Sequence, residues 1–238
     1  MKIALIGYGK MGKAIEEIAL QRGHSIALAV SIENVEDNTI ENIRKADLAI
    51  EFTGPEVAFE NICRCIDAGV PVVSGSTGWL KHFDEVANYC LAHNGAFLYA
   101  SNFSVGVNIF FAINKKLAEL IAPHPGYDVH IREIHHTEKK DAPSGTAITL
   151  AEQLLQVNNT KKKWVNHEAE APSELAILSE RVNTAPGTHI ITYSSDIDDI
   201  EIIHTAHNRK GFATGAVLAA EFLLHKKGIF SMEDVLGI

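Results

Sequence analysis

The stretch "KIALIGYGKMGKAIEEI", residues 2–18, decides the fold, because it joins a short apolar run to a glycine turn and then to a helical pattern. Gly7, Gly9 and Gly12 give the spacing G-x-G-x-x-G. After a buried strand and at the start of a helix, this spacing allows a tight turn and brings backbone N–H groups close to a pyrophosphate. The stretch therefore predicts a strand–turn–helix unit that binds a dinucleotide. The alternative is a glycine-rich turn that binds nothing.

Four further apolar runs follow in the first hundred residues, and helical patterns separate them. Two of the helical patterns close on Gly23 and Gly69, and one opens with Pro55, which suits a first helical turn. Alternation of strands and helices predicts a parallel sheet with right-handed crossovers. The runs are "SIALAV", "DLAIEF", "VPVVSG" and "AFLYAS", at residues 25–30, 47–52, 70–75 and 96–101.

The pattern changes after residue 101. A long apolar helix comes first, then a strand in which Val129 and Ile131 alternate with polar residues. A second helix and three strands without intervening helices follow. We therefore predict an α/β fold, with an N-terminal Rossmann-like doubly wound parallel sheet and a second α+β domain with an open mixed sheet. The predicted elements are helices at 106–126 and 144–157 and strands at 127–136, 175–182, 188–195 and 200–207.

We expect two domains, one at residues 1–103 together with 211–238 and the other at 104–210. The C-terminal segment 214–230 has a helical pattern and is expected to return to the first domain. The polar segment 158–174 contains a lysine run, and we expect it to be a mobile surface excursion with solvated lysines.

Composition argues against several classes of protein. The chain has 238 residues, 46% of them hydrophobic and 21% charged, as expected for a globular protein. The net charge of -9 argues against a nucleic-acid surface, although a local cationic cluster can still bind a small anion. No apolar run approaches the roughly 20 residues of a membrane span. Three cysteines without a C-x-x-C pair indicate reduced thiols and a cytoplasmic location.

Residues at the carboxyl ends of the predicted parallel strands are expected to contact the cofactor, because ligands of such sheets bind at that edge. An acid after the second strand favours NADH and a basic residue favours NADPH, but Ser31 stands there and suits either. The segments "EFTGPE" and "GSTGW" would line the nicotinamide side, with ordinary turn chemistry as the alternative. The predicted contacts are Gly7, Gly9, Lys10, Met11, Gly12, Ser31, Phe52, Thr53, Gly75, Ser76 and Thr77.

The segment "EIHHTEKKDAPSGTA", residues 133–147, collects the parts of an anion site. A histidine beside lysines is biased towards its neutral form and exchanges a proton near pH 7. Lys139 adds a fixed positive charge. Ser144, Gly145 and Thr146 stand in the first turn of a helix, whose free N–H groups suit a carboxylate. Together these features predict a small anionic substrate, with a surface loop and a capped helix as the alternative.

Two other kinds of site are weaker interpretations of this segment. His135 and His136 are adjacent on a strand and point to opposite faces, and we recognise no carboxylate or cysteine at ligand spacing, so we predict no metal site. A serine hydrolase would combine Ser144 with His136 and Asp141, but the sequence has no G-x-S-x-G turn.

The same segment resembles the signature E-x-H-H-x-x-K-x-D-A-P-S-G-T of the 4-hydroxy-tetrahydrodipicolinate reductase (dihydrodipicolinate reductase) family. "EFTGPE", "GSTGW" and "ASNFSVGVN" are similar to the family's D-F-T-x-P-E, G-T-T-G-F and A-P-N-F-S-x-G-V-N. The resemblance implies hydride transfer from NADH or NADPH to a cyclic unsaturated imine dicarboxylate, giving tetrahydrodipicolinate in lysine and diaminopimelate synthesis. It also implies a homotetramer built through the sheet of the second domain.

The resemblance implies roles for individual residues as well. His135 would be the proton donor, and Lys139 would stabilise developing charge and hold a carboxylate. The first domain would bind the dinucleotide and the second the substrate. The implied substrate contacts are His136, Ser144, Gly145, Thr146 and Arg209, and the implied nicotinamide contacts are Ala100, Ser101, Asn102 and Phe103.

Some positions depart from the family pattern. The turn "GYGKMG" is one residue shorter than G-x-x-G-R-M-G and has Lys10 for arginine, while Ser31 stands where many members have an acid followed by arginine. Ser101 replaces a proline. Two rival functions remain. A non-catalytic dinucleotide-binding module would need no proton donor, and an aspartate dehydrogenase would share the glycine turn but not the full signature.

Overall fold

The computed structural model describes residues 1–208 and 210–238, and these form two compact units. The first unit comprises Met1–Val105 and Lys210–Ile238, and the second comprises Gly106–Arg209. Arg209, which is an expected substrate contact, lies outside the described residues. In the part of the chain that is described, no helix has the length and apolar character that crossing a bilayer requires.

Strands and helices alternate in the first unit, and the second unit adds strands without intervening helices. The strands are β1 (Lys2–Ile6), β2 (Ser25–Val30), β3 (Leu48–Glu51), β4 (Val72–Ser74), β5 (Ala96–Tyr99), β6 (Asp128–His135), β7 (Lys163–Val165), β8 (Glu174–Arg181), β9 (Thr188–Ser194), β10 (Asp199–Thr205) and β11 (Gly228–Phe230). The helices are α1 (Lys10–Gln21), α2 (Ile40–Ile43), α3 (Pro55–Asp67), α4 (Phe83–Ala92), α5 (Val105–Ile121), α6 (Gly145–Val157), α7 (Lys210–Leu223) and α8 (Met232–Leu236).

The sheet of the first unit has the order β11–β5–β4–β3–β1–β2, and every pair in it is parallel. Ile15 and Ala19 of α1 pack on one face, and Ile62 of α3 and Val86 of α4 pack on the other. This arrangement confirms the predicted Rossmann-like sheet with helices on both sides. Because the strands are parallel, the carboxyl ends of β1 to β4 meet along one edge, where ligands of such sheets bind.

The C-terminal segment belongs to the first unit, but it is not one helix. α7 ends at Leu223, and Gly228–Phe230 pairs with β5 as the edge strand β11. The helix cannot continue because His225 and Gly228 both take positive φ values, 67° and 113°. The predicted helix over 214–230 is therefore wrong over residues 224–230.

The second unit has a mixed sheet in the order β10–β9–β6–β8–β7. β6 pairs antiparallel with β9 and parallel with β8, so it lies at the centre. Val129 and Ile131 point into a core formed with α5 and α6, as the alternation predicted. The same face of β6 continues with Glu133 and His135, which are also buried. The open mixed sheet is confirmed.

The polar segment 158–174 makes a strand pairing and an ion pair that its composition does not predict. Lys163–Val165 forms β7, which pairs with β8 at the edge of the second sheet. Lys161 is only 2% exposed, and its Nζ lies 2.6 Å from Oδ1 of Asp128. The expectation of solvated lysines is wrong for Lys161, whose buried ammonium has a partner carboxylate at the start of β6. Lys162 and Lys163 are exposed, as expected.

We predict that Gly215→Ala destabilises the first unit. α7 lies so close to the chain after β5 that a Cβ at Gly215 would come 1.6 Å from the carbonyl oxygen of Phe103. Relieving such a clash costs about 1–3 kcal/mol. Gly211→Ala is the matched control on the same helix, because its Cβ would have an ordinary contact of 3.4 Å. Urea unfolding measures both changes, and equal stability of the two variants would contradict the assigned close approach.

Candidate active site

A cavity of about 640 Å³ opens at the carboxyl edge of the first sheet. Gly7 and Gly9 line it after β1, Ser31 after β2, and Phe52 and Thr53 after β3. All five were predicted cofactor contacts. The residues that motifs could not identify come mainly from α3 and the segment after β2, and they include Val35, Asn38, Glu56, Glu60, Asn61 and Arg64.

The residues of this cavity fit a dinucleotide. A Cβ at Gly7, whose φ is +105°, would lie 2.1 Å from the carbonyl oxygen of Phe52, whereas a Cβ at Gly9 would meet nothing within 4 Å. Gly7 therefore makes the tight turn, and Gly9 leaves space before α1. The Oδ1 atom of Asn38 is buried and has no hydrogen-bond partner among the described residues. A buried acceptor of this kind suits a ribose hydroxyl or an adenine amino group.

A buried carboxylate at the end of β3 shapes the turns beside the cavity. Glu51 is fully buried, and its carboxylate accepts hydrogen bonds from Thr53 N at 2.9 Å, Ser74 Oγ at 2.6 Å and Ser76 Oγ at 2.7 Å. The Thr53 hydroxyl donates to the same carboxylate. These bonds join the turn after β3 to the turn after β4, and so they hold Thr53 and Ser76 in fixed positions.

Several expected cofactor contacts do not line this cavity. A Cβ at Gly75 would come 2.2 Å from the ring of Phe52, so this glycine makes room for the ring. The rings of Phe52 and Phe103 lie 5.6 Å apart, and Phe103 is buried. The expected contacts that do not line the cavity are Lys10, Met11, Gly12, Gly75, Ser76, Thr77, Ala100, Ser101, Asn102 and Phe103. Their roles remain predictions.

The second unit contains a buried polar cluster where β6, β8 and β9 lie side by side. Glu133 and His135 come from the same face of β6, and His189 of β9 is the cross-strand partner of Glu133. Arg181 ends β8 opposite His135. The alternation of β6 accounts for the first pair, but the other two residues reach the cluster through strand pairing that no local pattern reveals.

The Glu133 carboxylate is the centre of this cluster. The Ser144 N–H donates to both of its oxygens at 3.1 Å, and Arg181 Nη2 donates to Oε1 at 3.2 Å. His135 Nδ1 lies 3.2 Å from Oε2, which is an ion-pair distance without the alignment of a hydrogen bond. His189 Nε2 lies 3.9 Å from Oε2 and shares a hydrogen bond of 3.1 Å with Ser144 Oγ.

The electrostatics of the cluster fix the charges of two members. Burial acts to raise the pKa of Glu133, but its interactions with His135, Ser144 and Ser179 outweigh it and hold the pKa well below the usual range. Burial, with His135 as the second cause, lowers the pKa of His189 to about 4. Near pH 7 the carboxylate is therefore ionised and His189 is neutral.

The predicted anion site at residues 144–146 lies directly beside the Glu133 carboxylate. Ser144 is the N-cap of α6, and its Oγ accepts a hydrogen bond from Ala147 N at 3.2 Å. Gly145 and Thr146 form the first turn, as the sequence predicted. Lys139 Nζ donates to both oxygens of Asp141, at 2.9 Å and 2.8 Å. His136 follows β6 and is partly exposed. The substrate contacts assigned to these residues remain predictions.

A metal ion is a weaker interpretation of the cluster than proton chemistry. Ligand atoms of Glu133, His135 and His189 lie within 4.8 Å of one another, so the expectation that no carboxylate stands at ligand spacing is wrong. However, the Glu133 carboxylate already accepts from Ser144 and from the positively charged Arg181. A cation there would be repelled by that guanidinium.

Comparisons with known proteins cover nearly the whole chain. Residues 1–103 match the family model described as "Dihydrodipicolinate reductase, N-terminus", and residues 106–236 match "Dihydrodipicolinate reductase, C-terminus". A 4-hydroxy-tetrahydrodipicolinate reductase of Christiangramia forsetii is 50% identical over 100% of this chain and 98% of its own length. One from Methanosarcina acetivorans is 35% identical over 99% of this chain and 89% of its own length.

The fold is also similar to that of a solved structure. A dipicolinate-bound dihydrodipicolinate reductase from Paenisporosarcina sp. TG-14 superposes with a TM-score of 0.77 over 97% of each chain. Its sequence is 22% identical to this chain, so the likeness supports the fold.

We predict that His189 makes the second unit less stable as the pH falls. Because its pKa is lowered to about 4 from an ordinary value of 6.5, the unfolded chain takes up the proton first. Stability should therefore be lost between about pH 6.5 and pH 4, by roughly 3 kcal/mol at most.

His189→Gln should flatten this pH dependence, although it lowers stability at pH 7. Urea unfolding of both proteins between pH 4 and 7.5 measures the slopes. His167→Gln is the control, because His167 is exposed. Equal slopes in the His189 variant and the unmodified chain would show that this ring is not the titrating group.

Proposed function

The chain belongs to the dihydrodipicolinate reductase family, and we propose that it reduces a cyclic unsaturated imine dicarboxylate to tetrahydrodipicolinate. Its function is that of a 4-hydroxy-tetrahydrodipicolinate reductase, an oxidoreductase of lysine and diaminopimelate biosynthesis. The observation that carries the residue assignments is the buried cluster around Glu133. His135 and the N-cap of α6 contact this carboxylate, and the loop between them carries Lys139, which is paired with Asp141. The rival sensor and aspartate dehydrogenase functions are not supported by the family match.

The cofactor is a pyridine nucleotide, which we place in the cavity of the first unit. When bound, its reduced nicotinamide supplies the hydride. Gly7 and Gly9 would hold the pyrophosphate at the start of α1, and Asn38 would accept a hydrogen bond from the adenosine. Glu51 would hold Thr53 and Ser76 for the nicotinamide side. The other predicted contacts are kept as proposals on the strength of the family motifs.

The choice between NADH and NADPH rests on groups around Ser31. Its hydroxyl donates to Asn34 Oδ1 at 3.0 Å and accepts from Glu33 N at 3.1 Å, so it is already engaged in the turn. The cavity also holds Arg64 and Glu60 on α3, which would favour a phosphate and a ribose hydroxyl respectively. These opposite charges leave both NADH and NADPH as proposed cofactors.

The substrate would bind to the second unit. Ser144, Gly145 and Thr146 would seat one carboxylate at the N-terminus of α6. Lys139 would exchange its contact with Asp141 for the second carboxylate, and it would stabilise charge that develops on the imine system. His135 would donate the proton. His136 and Arg209 are proposed as further substrate contacts on family resemblance.

Assembly and location are proposed on weaker grounds. The family resemblance supports a homotetramer built through the sheet of the second unit. Cys63, Cys65 and Cys90 are unpaired thiols, and two of them are buried. This thiol state supports a location in the cytoplasm, where thiols stay reduced.

We predict that His135→Gln lowers kcat about 10²–10⁴-fold, the usual scale for losing a general acid. Substrate would be generated from pyruvate and aspartate semialdehyde by the preceding synthase, and oxidation of NADH and of NADPH would be followed in parallel. The ratio of the two rates reports the cofactor preference. His130→Gln is the control, because His130 lies on the same strand outside the cluster.

Near-normal turnover of His135→Gln would refute the proton-donor assignment. No turnover by the unmodified chain, with folded protein that still binds NADH or NADPH, would instead refute the proposed function and support a sensor.

We predict that Lys139→Ala lowers kcat/KM for the substrate about 10- to 100-fold, the scale of a lost charged hydrogen bond. Both kcat and substrate KM should change, because Lys139 would contact a carboxylate and the developing charge. Cofactor affinity, measured by nicotinamide fluorescence, should stay the same. Lys140→Ala is the matched control on the exposed neighbouring lysine. An effect confined to cofactor affinity would contradict the placement.

A further inference from the structure

We propose that Glu133 is a positioning residue that holds His135 with Nδ1 towards the buried carboxylate and Nε2 towards the substrate. This inference rests on the proposed function of His135 as proton donor. Neither the family signature nor the comparisons assign a role to Glu133. The Glu133 carboxylate contacts two parts of the proposed site. It lies against the ring of His135, and it accepts a hydrogen bond from the backbone N–H of Ser144 at the N-cap of α6.

The first support is the placement of the two nitrogens of His135. Nδ1 is buried, lies 3.2 Å from Glu133 Oε2, and no other described residue offers it a hydrogen bond. On the Nε2 side stands Gly187, where a Cβ would come 3.1 Å from that nitrogen. Gly187 also takes a φ of +154°. A Cβ at this position would crowd Nε2, so the glycine keeps this side of the ring free of a side chain, and we assign Nε2 as the nitrogen that faces the ligand.

The second support is that Glu133 itself is held rigidly. Its side chain is fully buried, and Ser144 N and Arg181 Nη2 donate to its oxygens. Arg181 Nη2 also donates to the carbonyl oxygen of Asp141 at 2.6 Å. The carboxylate is therefore fixed to the chain on either side of Pro143, and it cannot turn away from His135 without leaving a buried charge unpaired.

The two histidines of the cluster have different surroundings. Among the described residues, Glu133 is the anion that lies against the His135 ring, whereas burial lowers the pKa of His189 and keeps it neutral near pH 7. The rings of the two histidines lie 5.1 Å apart. The charged and titratable groups of the cluster and its rim are Glu133 on β6, Arg181 on β8, His189 on β9, His204 on β10, and Lys139 and Asp141 in the loop after β6.

The proton step follows from this arrangement. Imidazolium at His135 is stabilised by the Glu133 carboxylate while the substrate binds. Nε2–H then gives its proton to the substrate atom that has gained electron density from the hydride. The ring returns to the neutral form with its remaining proton on Nδ1, next to the carboxylate. Solvent restores the proton on Nε2 after product leaves.

We predict that Glu133→Gln lowers kcat about 10- to 100-fold, by analogy with partners that orient metal-ligating histidines. The limb of the pH–rate profile that reports the protonated donor should move to lower pH, because the imidazolium loses its counter-charge. A purely structural role would lower the rate without moving that limb. Glu180→Gln is the control, because Glu180 is paired with Arg132 outside the cluster.

If Glu133→Gln does not fold, the ¹⁵N chemical shifts of His135 in the unmodified protein still test the inference. The imidazole ¹⁵N shifts of His135, assigned with His135→Gln, should show Nδ1 protonated throughout the titration and Nε2 as the titrating nitrogen. A neutral ring protonated on Nε2, or a Glu133→Gln pH profile that superimposes on that of the unmodified chain, would overturn the inference. The ¹⁵N measurement needs no turnover, so its outcome is separate from failure of the proposed function.

Discussion

The cost of burying a carboxylate is the constraint on which both halves of this molecule depend. Glu51 ends β3 in the first unit and Glu133 lies near the end of β6 in the second, and neither has any exposed side-chain surface. A buried anion is tolerated only when donors surround it. Each glutamate therefore requires hydroxyl or backbone N–H groups from the next turns, and those turns carry the residues assigned to cofactor and substrate.

The two glutamates solve this requirement in different ways. Glu51 accepts from Thr53, Ser74 and Ser76, which are neutral donors, so its negative charge is spread over several dipoles. Glu133 accepts from the backbone of Ser144 and also faces Arg181 and His135. Among the described residues, the donors of the first arrangement are hydroxyl and backbone N–H groups, which carry no charge near pH 7. The second includes the imidazole of His135, the proposed proton donor, against the carboxylate.

The sequence predicted what depends on local periodicity and failed where long-range pairing decides. The glycine turn, the parallel strands and the alternation of β6 are local patterns, and each is present in the structure. Arg181 and His189 could not be assigned, because only the register of β6 with β8 and β9 brings them to Glu133. The sequence motifs assign no role to Glu133, although the alternation that predicts the strand puts it on the same face as His135.

The short edge strands also depend on long-range pairing, which local sequence patterns do not reveal. β7 and β11 have three residues each, too few to give a periodic signal, and they form because β8 and β5 offer open edges for pairing. The buried Lys161 depends likewise on Asp128, more than thirty residues earlier in the chain. Composition does not predict the burial of a residue when that burial depends on a partner far away in the sequence. In this chain such residues include Arg181 and His189, which lie beside Glu133, so the surroundings of the proposed proton donor could not be predicted from local sequence patterns.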